Sequence, residues 1–255
     1  MKRMMVFSKR NFIEMSRDVL SYIFCVAFPI AMLVIMSVVN SSIPKQAGVT
    51  MFRIDNLAGG IAVFGQTFVM LFTAIGVAKD KSGSFLTRLY ATPMKARDFV
   101  YGYIIPMLLV AFIQVIMSNV TAFIISRVQG SELKISGLLL STVMVLPSAL
   151  MFSAIGMIFG TLFNEKAAPG LCSIIISLGC FIGGIWFDVE GVGGTIEKVA
   201  KCLPFLYATK VARAAIDVDF KKENFIIPMA VVLITALVLT VFASFVFSRK
   251  MKKIV

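Results

Sequence analysis

Residues 57–78 read LAGGIAVFGQTFVMLFTAIGVA, without one Asp, Glu, Lys or Arg. A helix needs about 20 apolar residues to cross the ~30 Å hydrocarbon layer of a bilayer, so this stretch is long enough to span. A barrel strand would alternate in polarity and run to about half this length. Five more uncharged apolar runs accompany it, at 19–40, 100–126, 137–163, 169–187 and 224–248. They predict an all-α membrane protein with six transmembrane helices in one domain, residues 19–255.

Composition points the same way. The chain has 255 residues, 59% hydrophobic and 15% charged, with a mean hydropathy of +0.94. Soluble domains run at roughly 45–50% apolar and about 25% charged, so a soluble enzyme is disfavoured. The net charge of +12 would suit nucleic acid in a polar chain. In one this apolar it reads as Lys and Arg gathered on the cytoplasmic side of a membrane, and no nucleic-acid partner is expected. With both termini inside, the inner segments 1–18, 79–99, 164–168 and 249–255 hold fifteen of the 25 Lys and Arg against five acids. The outer segment 188–223 holds six basic residues, balanced by six acids. The reading is a multi-pass protein of the cell membrane with cytoplasmic termini.

Residues 1–18 differ from the spans. On a helical wheel Met4, Met5, Val6, Phe12, Ile13 and Met15 share one side and Arg3, Arg10, Glu14, Arg17 and Asp18 the other, with Phe7 and Lys9 as exceptions. That pattern predicts an interfacial amphipathic helix in contact with membrane lipid. A cleavable signal peptide fits less well, because the apolar run after Arg17 is too long and lacks an A-x-A-like site.

Several chemistries are missing. There is no histidine, which removes the commonest general base and metal ligand. The four cysteines, Cys25, Cys172, Cys180 and Cys202, form no C-x-x-C pair. No G-x-x-x-x-G-K-[ST] loop cradles phosphate, so the chain is expected to bind no cofactor of its own. No apolar run carries an ionisable group, which disfavours an ion-coupled carrier and an intramembrane hydrolase.

The inner loop 79–93 reads KDKSGSFLTRLYATP. Ser82 or Ser84 can cap a helix, Phe85, Leu86 and Leu89 share one face, and Pro93 ends the segment. A short amphipathic helix over about 82–93, lying along the membrane, is predicted. A loop that merely covers the bundle end is the plainer reading. In the outer segment 188–223, Gly191, Gly193 and Gly194 mark turns. Thr195–Cys202 and Phe205–Ile216 read as short helices separated by Pro204.

These residues resemble the type-2 ABC exporter permeases, whose first cytoplasmic loop carries L-x-x-L-x-x-T-P after an acidic-Gly segment. The match is Gly83, Leu86, Leu89, Thr92 and Pro93, followed by Phe99 and Gly102. Pro204, Tyr207 and Arg213 resemble the family's P-x-x-Y…R segment before the last span. The chain departs from the family in having only Asp80, flanked by Lys79 and Lys81, where two or more Glu are usual. The resemblance implies that 82–93 is a coupling helix. Phe85, Leu86, Arg88, Leu89, Thr92 and Pro93 would then dock on a separate ATP-binding subunit, which holds ATP and Mg. It further implies pairing with a second permease subunit, as a homodimer or heterodimer, and an outer lid built around Pro204, Tyr207 and Arg213.

Within the spans, Gln66 and Thr73 are seven residues apart and so share a face, beside Phe68 and Phe72; Ser177, Phe181 and Trp186 lie in the fifth run. They read as a substrate path if that face lines the dimer axis, or as ordinary interhelical hydrogen bonds and interface anchors. Gly156-x-x-x-Gly160 and Gly179-x-x-x-Gly183 permit close helix approach, inside the subunit or between subunits. The expected function is the permease subunit of an ATP-driven exporter, in a split system of the bacterial kind. Its cargo would be amphipathic or hydrophobic (a drug, a peptide antibiotic or a lipid), with a role in efflux, resistance or immunity. A membrane scaffold or immunity protein without transport, or an ion-coupled carrier, are the alternatives.

Overall fold

The computed structural model describes residues 2–44, 50–83, 85 and 94–251. Among them the chain is all-helical: α1 Lys2–Ser16, α2 Val19–Ser42, α3 Ile54–Ser82, α4 Ala96–Val128, α5 Ile135–Met144, α6 Leu146–Leu162, α7 Ala167–Ile182, α8 Val189–Val192, α9 Gly194–Cys202, α10 Pro204–Asp217 and α11 Ile227–Met251. Among the described residues five segments are long and apolar enough to cross a membrane: α2, α3, α4, α5 with α6, and the last, Lys222–Lys250. The predicted fifth span, 169–187, is shorter than expected. Its helix α7 has 16 residues, about 24 Å of rise, and stops at Ile182. The chain turns there through Gly184 at φ 67°, a conformation glycine adopts without steric cost. Ser84 and residues 86–93, most of the predicted coupling helix, lie outside the described residues; Phe85 is helical.

Helix α3 is the core. Its apolar window is 83% buried inside the subunit, against 22% for α2 and for the last span. Its broadest packing is against α6, and it also meets α2, α4, α7 and α10. The closeness to α6 depends on glycine. A Cβ at Gly156 would lie 2.2 Å from the Met70 carbonyl oxygen, and one at Gly160 2.6 Å from that of Ala74. Gly179 and Gly183 also face inward, against Phe205 of α10. Both small-residue pairs therefore serve contacts within the subunit.

Prolines shape the spans, since each lacks an N–H for the carbonyl four residues back. Pro29 and Pro228 are preceded by π-helical turns at Ile23–Ala27 and Lys222–Ile226, which contain the carbonyls of Cys25 and Asn224. Pro147 follows the break between α5 and α6 at Val145. There Gln66 of α3 donates from Nε2 to the Val145 carbonyl at 3.1 Å and accepts from Ser148 Oγ at 2.7 Å. Asn119 of α4 joins α5 through Leu138, Ser141 and Thr142.

Replacing Gly156 by Val forces α3 and α6 apart. Overpacking of this kind costs about 1–3 kcal/mol, so a thermal melt of the detergent-solubilised variant is expected well below wild type; an unchanged midpoint would count against this packing.

Candidate functional site

The C-terminal end of α3 leads directly into segment 82–93, and three consecutive side chains tie it to its neighbours. Asp80 is 7% exposed. Arg10 of α1 grips it with two hydrogen bonds, Nη1 to Oδ2 at 2.6 Å and Nη2 to Oδ1 at 3.1 Å. Tyr103 of α4 donates its hydroxyl to Oδ2 at 2.6 Å. A buried carboxylate is costly unless paired and hydrogen-bonded, and a two-pronged guanidinium plus a phenol supplies both needs. Lys81 reaches the open carbonyls at the end of α6, donating to Gly160, Thr161 and Phe163 at 3.0, 2.9 and 2.5 Å; a cation suits a helix C-terminus. Ser82 Oγ donates to Glu165 at 3.1 Å.

Helix α1 is seated by the same residues. Arg10 also pairs with Glu14 at 2.6 Å. Burial works against the Arg10 charge, but the hydrogen bond and charge of Asp80, with Glu14, outweigh it and raise its pKa. Asn11 Nδ2 donates to the Gly102 carbonyl at 3.1 Å, the very group that Pro106 leaves without its helical donor. Phe7 meets Tyr103 and Phe99 edge-on, with centroids 5.1 and 5.6 Å away. A Cβ at Gly102 would come within 2.3 Å of its ring. The helical wheel sets Phe7 aside as an exception, yet it is 5% exposed, while Met5 and Val6 on the apolar side are 58% and 70% exposed. The wheel identifies an apolar side but not which neighbour covers it.

Phe85 belongs to this cluster. Its ring stacks on Phe7 at 6.4 Å, and the Arg10 guanidinium lies 4.0 Å from its centroid, a cation–π arrangement. The last described residue of segment 82–93 is thus joined to α1. Leu86, Arg88, Leu89, Thr92 and Pro93 lie outside the described residues.

The N-terminal end of α3 is held by Arg213 of α10. Its Nε donates to the Asn56 carbonyl at 3.0 Å and its Nη2 to Gly184 at 2.9 Å, joining α3, α10 and the turn after α7. Burial pulls its pKa down to about 10, against the pull of Asp188, Asp217 and Asp55, so it is still charged at neutral pH. A Cβ at Gly59 would lie 2.9 Å from the Arg213 backbone nitrogen, which is why α3 and α10 meet here. Pro204 opens α10, and Tyr207 donates its hydroxyl to the Lys201 carbonyl at 2.9 Å.

The span residues do not gather on one wall. Gln66 and Thr73 are buried within the subunit, the latter bonded to Val69 of its own helix. Phe68 and Phe72 pack against Phe24 of α2, and Trp186 sits edge-on to Phe64. Ser177 is exposed on α7, as is Phe181, which neighbours Phe187.

Residues 2–216 match the family described as ABC-2 type transporter. The chain belongs to that family. A search among curated proteins found no match. As an ABC-2 family member it is a multi-pass membrane permease, a transport component and not itself catalytic, of a kind that works with an ATP-binding partner. Arg10, Asn11, Tyr103 and Lys81 are not singled out by sequence reasoning. One signal was available for them: Asp80 is the one acid in segment 79–93, and a carboxylate at the end of a buried helix requires donors.

Replacing Asp80 by Ala frees α1. Hydrogen bonds to a charged group are worth about 1.5–3 kcal/mol, so tryptic cleavage at Lys9 and Arg10 is expected to rise about ten-fold or more, read by mass spectrometry. Unaltered cleavage would mean that Asp80 does not hold α1. Arg213→Lys keeps the charge but loses the fork, and is expected to lower the melting temperature nearly as far as Arg213→Ala.

Proposed function

We propose that the chain is the permease subunit of an ATP-driven exporter, with both termini in the cytosol and segment 82–93 as its coupling helix. Family membership, with the tie between the inner end of α3 and its neighbours, carries this reading. A push delivered at 82–93 reaches Asp80, Lys81 and Ser82 first. Through them it passes to α1, to α4, and to the end of α6 with the turn that follows. The buried rod α3 then carries the movement outward to Arg213, which links it to α10 and the turn after α7. In this reading the segment around Pro204, Tyr207 and Arg213 is the outer lid.

A second permease subunit completes the path. The exposed face of α7, with Ile174, Leu178 and Phe181 each more than half exposed, suits that pairing or lipid contact. Gln66, Thr73, Phe68 and Phe72 are taken up by contacts inside the subunit, which leaves Phe181 and Trp186, with Ser177, as the path candidates. Such a wall suits an amphipathic or hydrophobic cargo: a drug, a peptide antibiotic or a lipid. ATP and Mg belong to the partner. Efflux, resistance or immunity is the corresponding role.

Two variants test the coupling reading with the ATPase subunit coexpressed. Leu86→Asp or Leu89→Asp is expected to abolish copurification, because burying an unpaired charge at an apolar contact is costly. Arg10→Ala is expected to leave copurification intact while transport falls and ATP hydrolysis persists. Transport that survives loss of the partner would overturn the reading.

A further inference from the structure

Helices α1 and α4 leave an apolar groove of about 460 Å³ between them on the side away from Asp80. One wall is Met5, Ser8, Lys9 and Phe12, spaced i, i+3, i+4, i+7 and so a single stripe of α1. The other is Ile105, Leu108, Leu109 and Phe112 of α4, with the same spacing. The opposite face of α1 is occupied by Phe7, Arg10 and Asn11 docking on α4 and α3. The rim of the groove stays open: Met5 is 58%, Ile105 36% and Leu109 45% exposed. Leu146 of α6 also lines the groove.

Two polar groups stand on this otherwise apolar surface. Lys9, the second exception on the helical wheel, is exposed and makes no ion pair among the described residues. Ser8, the preceding residue, makes no hydrogen bond to another described residue, and its hydroxyl reaches the open side of the groove. A lysine on the apolar stripe of an interfacial helix reaches for the phosphate layer.

The geometry points to a phospholipid site. An acyl chain lies between the two stripes, and the phosphate of an anionic lipid, in the leaflet that α1 borders, accepts from Lys9 and Ser8. The lipid holds α1 against α4 from the side opposite the Arg10–Asp80 pair, filling the gap left beside Pro106. The inference rests on the interfacial setting of α1 assumed above. It does not depend on export.

The test uses the full chain in phosphatidylcholine nanodiscs containing phosphatidylglycerol with a photoactivatable acyl chain, labelled peptides being mapped by mass spectrometry. Labels are expected to concentrate at Met5, Ile105 and Leu109 rather than spread along the exposed faces of α2 and α11. Lys9→Gln is expected to lower groove labelling about five-fold, the factor to which ~1 kcal/mol per lysine at an anionic surface corresponds; Lys9→Arg should retain it. Leu109→Trp, which fills the groove, should remove labelling with Lys9 in place. Copurification of the ATPase subunit, unaffected by these variants, keeps this inference separable from the coupling reading. Even labelling along α2 and α11, labelling indifferent to Lys9→Gln and Leu109→Trp, or equal labelling by photoactivatable phosphatidylcholine would each overturn it.

Discussion

A carboxylate at the end of a buried helix fixes how three helices of this protein meet. Asp80 is nearly inaccessible, and an unpaired charge there would cost several kcal/mol. Arg10 and Tyr103 answer it from two different helices. The pairing therefore fixes α1 and α4 relative to α3 in a way that apolar contacts alone would not, because apolar attraction has no direction. The aromatic contacts of Phe7, Phe85, Phe99 and Tyr103 then close over the pair.

The same logic recurs where proline interrupts a span. A missing N–H leaves a carbonyl without a donor, and in hydrocarbon water does not replace it. Asn11 answers Gly102 opposite Pro106, so that local defect becomes a tertiary joint. Gln66 adds a second donor at the Val145 carbonyl, at the break before Pro147, tying α3 to that break. Glycine does the complementary work by letting α6 lie against the α3 backbone, where dispersion contacts are densest.

Helix α3 is consequently held by an arginine at each end, Arg10 through Asp80 and Arg213 through the Asn56 carbonyl. A helix clamped at both ends and buried along its length moves as a unit. That property would suit the proposed role, since the most buried span of the subunit lies next to segment 82–93.

The one-dimensional pattern was enough for the membrane class. Uncharged runs such as 57–78 have one stable answer in a bilayer, a helix that satisfies its own backbone. Gly83, Leu86, Leu89, Thr92 and Pro93, taken with Pro204, Tyr207 and Arg213, also suggested the family, because spacing and order along the chain carry that information. Pairings were not legible. Nothing in the order of residues says that Arg10 meets Asp80, that Gln66 serves Val145, that Phe7 rather than Val6 is the buried anchor of α1, or that the run 169–187 stops being a helix at Ile182. Those outcomes depend on which faces the helices turn toward one another, and hydropathy has no direction. Only packing in three dimensions brings a donor to an orphaned carbonyl or a guanidinium to a carboxylate.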